Sequence, residues 1–306
     1  MLSDDQKHSF HNNGFLIIGD VIPEAMLARL EEDILERIDE MAAYLRIDIS
    51  GVASDIDARM LALESRCPGA SLIFTHSFIM TPGLFNLWSE SHLVDIAQSL
   101  IGPDIDGHPF WTVRPKPPNI ELFAVPWHQD SAYLYKEAIE SQILTFWIPI
   151  RNVTANSGGM EFACAEHRND HELLHIPHEQ LEFGYKSWYL EIPYEIAEHF
   201  NTENCIIKRG SCIVFSQFTP HRSLLNTSQS CRWSVDLRYI NANAISGVRR
   251  ASIPFRRGAK AMRSFVEEQK AGYMQQQLRE KRDAWHHGVE NAIWKERWIK
   301  KTNFIL

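Results

Sequence analysis

Between residues 102 and 245 the chain is a succession of short β-prone runs separated by Pro, Gly and Asn turns, and this texture restricts the fold more than any other feature. The runs lie near 108–114, 120–127, 143–150, 159–163, 187–191, 205–207, 211–216 and 231–240, with Asn156-Ser157-Gly158-Gly159 as a strong turn. Short strands at this spacing predict an all-β sandwich or barrel. Helical patterns flank it on both sides. Ser3 and Gln6 suit a capping box ahead of a short helix, Gly14 to Ile18 reads as a strand, and Pro23 opens a second helix. In that helix Met26, Leu27, Leu30, Ile34, Ile38 and Met41 recur at spacings of three and four and form one buried stripe. Residues 46–75 are less periodic and read as a loop with a short helix, and 82–101 reads as helix again. From Pro254 onward Met262, Phe265, Val266 and Tyr273 return to helical spacing. The expectation is a single domain over 1–306, mainly β with flanking helices: helical support over 1–101, a β core over 102–245 and a helical extension over 246–306.

The 306 residues are 44% hydrophobic and 23% charged, which suits a folded globular chain. A net charge of −8 argues against the broad basic surface that holds nucleic acid or anionic membrane, so a small molecule is the expected partner. No window reaches the length of uncharged apolar sequence that a membrane span needs, and MLSDDQKHSFHNN carries two acids where a signal peptide carries a basic region. A cytoplasmic protein is expected. The cysteines Cys67, Cys164, Cys205, Cys212 and Cys231 are scattered without a CxxC and read as reduced thiols.

In VPWHQDSAYL, strand parity would aim His128 and Asp130 into one interior. His221 follows the apolar run CIVFSQFTP, 93 residues after His128, a separation that a folded barrel can close. Two imidazoles and one carboxylate on one face of a metal ion leave open positions, the arrangement of non-haem Fe(II) oxygenases. Eleven residues after His221 stands Arg232, with Ser234 at the same parity. An inward arginine in a β core must meet an anion, and its planar fork suits a carboxylate such as the distal one of 2-oxoglutarate, the alternative being an internal pair with Asp236 at the same parity.

Taken in order, these blocks resemble the phytanoyl-CoA dioxygenase-like branch of the Fe(II)/2-oxoglutarate oxygenases, from about residue 3 to 240. SDDQKHSFHNNGFLIIGDVIPEAMLARL is similar to that family's opening helix, Gly-Phe strand and second helix. PKPPN followed by PWHQD resembles its iron-binding strand, and HRSLLNTSQSCRWSVDLRY its distal-histidine hairpin and cosubstrate arginine. SGGMEFACAEHR departs from the pattern, lacking the family's Pro-Gly-Ser before His167.

The resemblance implies a double-stranded β-helix, a cupin-like jelly roll. It places iron on His128, Asp130 and His221, and 2-oxoglutarate on Arg232 and Ser234 with Trp147 beside it. It implies Fe(II), 2-oxoglutarate and O₂ as cofactors, with ascorbate supporting turnover. The implied reaction is hydroxylation of an unactivated C–H of a small metabolite, a natural product or amino-acid-like compound, releasing succinate and CO₂. Desaturation, demethylation and ring formation are alternatives on the same iron, as is a non-catalytic binding module. Asp130 leaves no ligand position for a halide, which disfavours halogenation.

Arg114 and Arg238 are candidate contacts for a polar or carboxylated substrate; each also has the alternative of closing a salt bridge, for instance with Asp236. The histidines 167, 171, 175 and 178 invite a zinc reading, which Pro177 and the lack of a fourth ligand weaken. His286 and His287 read as surface residues. Trp285, Trp294 and Trp298, interleaved with Lys and Arg, suit helices packed on the barrel or on a second subunit as a homodimer rather than nucleic-acid stacking. A free small molecule is expected over an acyl-CoA, because no basic cluster for phosphates stands out.

Overall fold

In a computed structural model describing residues 2–76, 80–168, 171–182, 185–248, 252, 253 and 255, two antiparallel sheets face each other and helices cover the outer side of the larger. The N-terminal part contributes α1 (Asp4–Asn13), β1 (Phe15–Ile18), α2 (Glu24–Leu45), α3 (Ile56–Arg66), α4 (Ala70–His76), α5 (Pro82–Trp88) and α6 (Ser91–Ile101). The β region follows with β2 (Ile105–Gly107), β3 (Thr112–Lys116), β4 (Val125–His128), β5 (Ile143–Pro149) and β6 (Met160–Ala163). Four two-residue strands come next, β7 (Ile176–Pro177), β8 (Leu181–Glu182), β9 (Tyr185–Lys186) and β10 (Leu190–Glu191), and then the single turn α7 (Tyr194–Ala197). The last strands are β11 (Thr202–Cys205), β12 (Cys212–Ser216), β13 (His221–Ser223) and β14 (Arg232–Asn241).

The larger sheet runs β1-β12-β5-β14-β2 with β3 also on β14, and the smaller runs β11-β6-β13-β4. This is the jelly-roll arrangement, in which two facing sheets enclose an interior lined by alternate residues. On β14 the odd positions Trp233, Val235, Leu237 and Tyr239 join the helical core, and on β5 so do Leu144, Phe146 and Ile148. The opposite faces turn inward. There Trp147, Ile213 and Phe215 pack with Met160 and Phe162 across the two sheets.

The capping box forms as expected, with Ser3 and Gln6 exchanging hydrogen bonds at the start of α1. Residues 46–75 hold two helices rather than one short one. Asp55 accepts the backbone N–H groups of Asp57 and Ala58 to start α3, whose three apolar contacts Ile56, Met60 and Leu63 form too short a stripe to stand out. The run 82–101 is split, because the Glu90 carboxylate caps a new helix at His92 and Leu93. Strand β11 lies at 202–205 instead of 205–207: its exposed Thr-Glu-Asn start on a sheet edge carries no hydrophobic alternation. The run 108–114 becomes β3 at 112–116, where Pro115 is tolerated since β3 pairs only with β14. Of 120–127, the part Glu121–Phe123 is a 3₁₀ turn, and of 187–191 only two residues pair.

Ile253 bridges Gly107, and Phe255 meets Trp88 edge-on. The rest of the expected C-terminal helical extension, with Met262, Phe265, Val266, Tyr273, His286, His287 and the three tryptophans, lies outside the described residues. All five cysteines are free thiols, and no helix among the described residues is long and apolar enough to cross a membrane.

Candidate active site

Strands β4 and β13 are antiparallel neighbours with His221 directly opposite His128, so the ladder itself brings the two imidazoles together, their ring centroids 4.2 Å apart. The Nδ1 of His128 lies 2.9 Å from the carbonyl of Pro126, and that of His221 lies 2.9 Å from the carbonyl of Thr219. A carbonyl only accepts, so each Nδ1 carries the proton and each Nε2 keeps its lone pair. Burial lowers the pKa of both rings, favouring the neutral form that a metal requires.

Asp130 completes the group: one ligand atom from each of His128, Asp130 and His221 lies within 4.8 Å of the others. Strand parity was expected to aim Asp130 inward, but β4 stops at His128 and Asp130 opens a 3₁₀ turn. The carboxylate reaches the same interior from that turn. Its Oδ2 accepts from Thr145 Oγ1 at 2.6 Å and from Arg238 Nη2 and Nε at 3.0 and 3.2 Å, whereas Oδ1 accepts only from Arg238 Nη2 at 3.0 Å. Burial would raise this carboxyl, but Arg238 and the two histidines hold it below the usual carboxylate range.

Between His128 and Asp130, the backbone N–H of Gln129 donates to His175 Nε2 at 3.0 Å. The Gln129 side chain accepts from Leu173 N at 2.7 Å and donates to the carbonyl of Phe218 at 2.7 Å. His175 therefore steadies the ligand turn and has no part in a zinc site. His178 pairs with Glu191, and among the described residues the only cluster suited to a metal is His128, Asp130 and His221. Gly14 joins this region to α1. It sits at φ 85°, its carbonyl accepts from Thr219 Oγ1 at 2.7 Å, and a Cβ would stand 2.5 Å from the His167 ring.

A second group of side chains lies at the start of β14. Arg232 is directly opposite Lys116 in the β14–β3 register, two cations side by side in a buried ladder. Arg232 donates to the Ser234 hydroxyl and, at 3.2 Å, to Ser223 Oγ, and its guanidinium stands 5.3 Å over the Trp147 ring. Lys116 Nζ donates to Ser223 Oγ and to the carbonyl of Leu224, both at 2.5 Å. Among the described residues no carboxylate pairs with either cation, and Arg232 Nε is buried without a hydrogen-bond partner. Burial pushes Arg232 down to about 10, and burial together with Arg232 and Arg114 pushes Lys116 well below its ordinary value. Opposed like charges in a buried sheet are destabilising unless an anion offsets them.

The other two arginines have different partners. Arg238 sits on Asp130, and Arg114 Nε donates to Asp236 Oδ2 at 2.6 Å. Neither is left as a free anchor for a carboxylated substrate, and the salt-bridge alternative describes both. The triad, the cationic pole and both ion pairs line one cavity of about 490 Å³ between the sheets. The roles of Lys116, Ser223, Thr145 and His175 could not be read from the sequence, because they depend on cross-strand register and on loops that close from 15 to 107 residues away.

The sequence pattern of phytanoyl-CoA dioxygenase (PhyH) matches residues 10–234 of the chain. The chain belongs to this family. Like other PhyH proteins it is thereby of the Fe(II)/2-oxoglutarate oxygenase type, and its fold is shared by solved structures at low identity. EvdO2 from Micromonospora carbonacea var. aurantiaca, complexed with 2-oxoglutarate, is 19% identical over 82% of this chain and 95% of that one, with a TM-score of 0.53. EctD from S. alaskensis with bound Fe is 18% identical over 83% and 80%, at 0.52. The alpha ketoglutarate dependent epimerase SnoN from nogalamycin biosynthesis is 14% identical over 80% and 84%, at 0.51. In this PhyH chain the family match ends at residue 234, so it takes in both imidazoles, the carboxylate and the Arg232-Ser234 pair.

Proposed function

We propose that the protein is an Fe(II)/2-oxoglutarate-dependent oxygenase that hydroxylates a small-molecule metabolite. The observation that carries this reading is the pairing, in one cavity, of a complete His-Asp-His group with a buried cationic pole that has no carboxylate partner among the described residues. The residues fit the cofactors. His128 and His221 offer Nε2, and Asp130 offers Oδ1, since Oδ2 already accepts three hydrogen bonds. Arg232, Lys116, Ser223 and Ser234 suit the distal carboxylate of 2-oxoglutarate, and Trp147 forms the wall beside it. When bound, the metal and 2-oxoglutarate supply the oxidising power that puts one atom of O₂ into a substrate C–H, with succinate and CO₂ as coproducts. The protein's part is to hold neutral imidazoles, orient one carboxylate oxygen and enclose the site within the barrel. The 2-oxoglutarate in EvdO2 and the iron in EctD, proteins of the same fold, favour this cofactor pair.

The direct test is succinate formation under Fe(II), 2-oxoglutarate and O₂, with anaerobic titration of both cofactors. His221→Ala should abolish metal-dependent turnover. Arg232→Ala should weaken 2-oxoglutarate binding by about 10- to 100-fold, the loss of charge-assisted hydrogen bonds worth about 1.5–3 kcal/mol, with metal binding retained. Purified protein that binds no iron, or an Arg232→Ala variant with unchanged cosubstrate affinity, contradicts the proposal.

A further inference from the structure

The cavity continues past the triad toward the C-terminal half of β14, where its wall has a different chemistry. Arg232 and Arg238 are six residues apart on one strand, about 20 Å, so the cationic pole and this region occupy opposite ends. The charges at this end are already matched within the protein, Arg238 with Asp130 and Arg114 with Asp236. Around them the wall is aromatic and aliphatic, formed by Phe110, Tyr133, Leu134 and Val248.

Two residues of the lining carry buried acceptor atoms. His108 follows β2, is fully buried and lines the cavity, and its backbone N–H is tied to the Arg238 carbonyl at 2.8 Å. Its Nε2 lies 2.6 Å from the carbonyl of Ser246, so Nε2 carries the proton and Nδ1 is an acceptor, one with no hydrogen-bond partner among the described residues. Burial, aided by Arg238, pushes this imidazole down to about 4, which keeps it neutral at physiological pH. Gln217 also lines the cavity. Its Nε2 donates to the carbonyl of Ile139 at 3.0 Å, which orients the amide and leaves Oε1 buried without a partner. An unmatched buried acceptor is destabilising, so a ligand that supplies a donor relieves a penalty that an apolar or anionic group does not.

We propose that the substrate is an uncharged, largely apolar small molecule that donates a hydrogen bond from a hydroxyl or N–H group to Nδ1 of His108. The inference rests on the oxygenase reading of the same cavity. With the cosubstrate in place, room on the order of 300 Å³ remains, which suits a compound of one to a few rings and not an acyl-CoA with its nucleotide and phosphates. A carboxylate or zwitterion at this end would be desolvated with no free counter-charge among the described residues.

The test is calorimetry on the protein loaded with Ni(II) and 2-oxoglutarate, using matched probes on naphthalene and decalin scaffolds: alcohol, methyl ether and carboxylate. On the tighter-binding scaffold the alcohol should bind at least tenfold more tightly than the ether and the carboxylate. In His108→Leu that preference should vanish while 2-oxoglutarate affinity stays within about twofold, and His108→Asn, which keeps an acceptor, should restore part of it. A carboxylate that binds as well as the alcohol, no binding of either alcohol, or a preference that survives His108→Leu overturns the inference. Failure of 2-oxoglutarate to bind the wild-type protein overturns the oxygenase reading first, whereas normal cosubstrate binding without the alcohol preference sinks the substrate assignment alone.

Discussion

Asp130 differs from its two histidine partners in how the protein holds it. Each imidazole is fixed by one backbone carbonyl two residues earlier, a local arrangement, but the carboxylate is gripped by Arg238 from 108 residues away. Removing one member of a buried ion pair leaves an uncompensated charge, which costs about 3–5 kcal/mol. Arg238→Leu should therefore lower the stability of the metal-free protein by about that much. A divalent ion restores positive charge beside the carboxylate, so the deficit should shrink when Ni(II) is added. Urea unfolding with and without Ni(II) checks this, and an equal deficit in both states would refute it. The His-x-Asp pair stood out in the sequence only together with His221, the Arg232-x-Ser234 spacing and the N-terminal block. Its arginine partner did not, because nothing local to residue 130 points to residue 238.

Strand β14 shows how one element serves both stability and chemistry. Pleating sends Arg232, Ser234, Asp236 and Arg238 toward the barrel interior and Trp233, Val235, Leu237 and Tyr239 into the helical layer. Trp233 is fully buried, with Phe74 of α4 edge-on at 5.6 Å. Trp233→Ala should cost about 3–5 kcal/mol through lost packing and a cavity, with cosubstrate affinity nearly unchanged. Paired with Arg232→Ala, whose effect is expected mainly on 2-oxoglutarate, this separates the two faces. A Trp233→Ala variant that folds stably but loses 2-oxoglutarate binding would show that the faces are coupled. Alternation along 231–240 announced this strand in the sequence. Strand β13 of the facing sheet, three residues beginning at a histidine, carries too little pattern to be read without its neighbours.

Across the whole molecule, acid should be the condition that unfolds the metal-free protein most readily. His108, His128 and His221 are all buried with lowered pKa values, so below pH 6.5 the unfolded chain binds protons that the native state excludes. Stability is then complete above about pH 6.5 and is lost as the pH falls toward 4. His108 alone, moved from 6.5 to about 4, contributes on the order of 3 kcal/mol. Asp57, raised to about 6 by burial and by Asp55, works in the opposite sense below that pH, but it is partly exposed and its effect is smaller. The urea midpoint of the metal-free protein should be lower at pH 5 than at pH 7; equal midpoints would contradict the account.

The fold class, the helical flanks and the longer strands of the β core could be read in the sequence, as could the candidate residues His128, Asp130, His221, Arg232 and Ser234, whereas the short strands β2, β7, β8, β9 and β13 could not. Hydrophobic period, turn residues and ligand spacing are local properties that a linear chain displays. What only the tertiary structure decided was which charges meet. Lys116 lies opposite Arg232, Arg238 reaches Asp130 rather than a substrate, and His108 is sealed with an unpaired nitrogen. Those outcomes follow from strand register and burial, which set local charge and solvation only after distant segments have closed on one another.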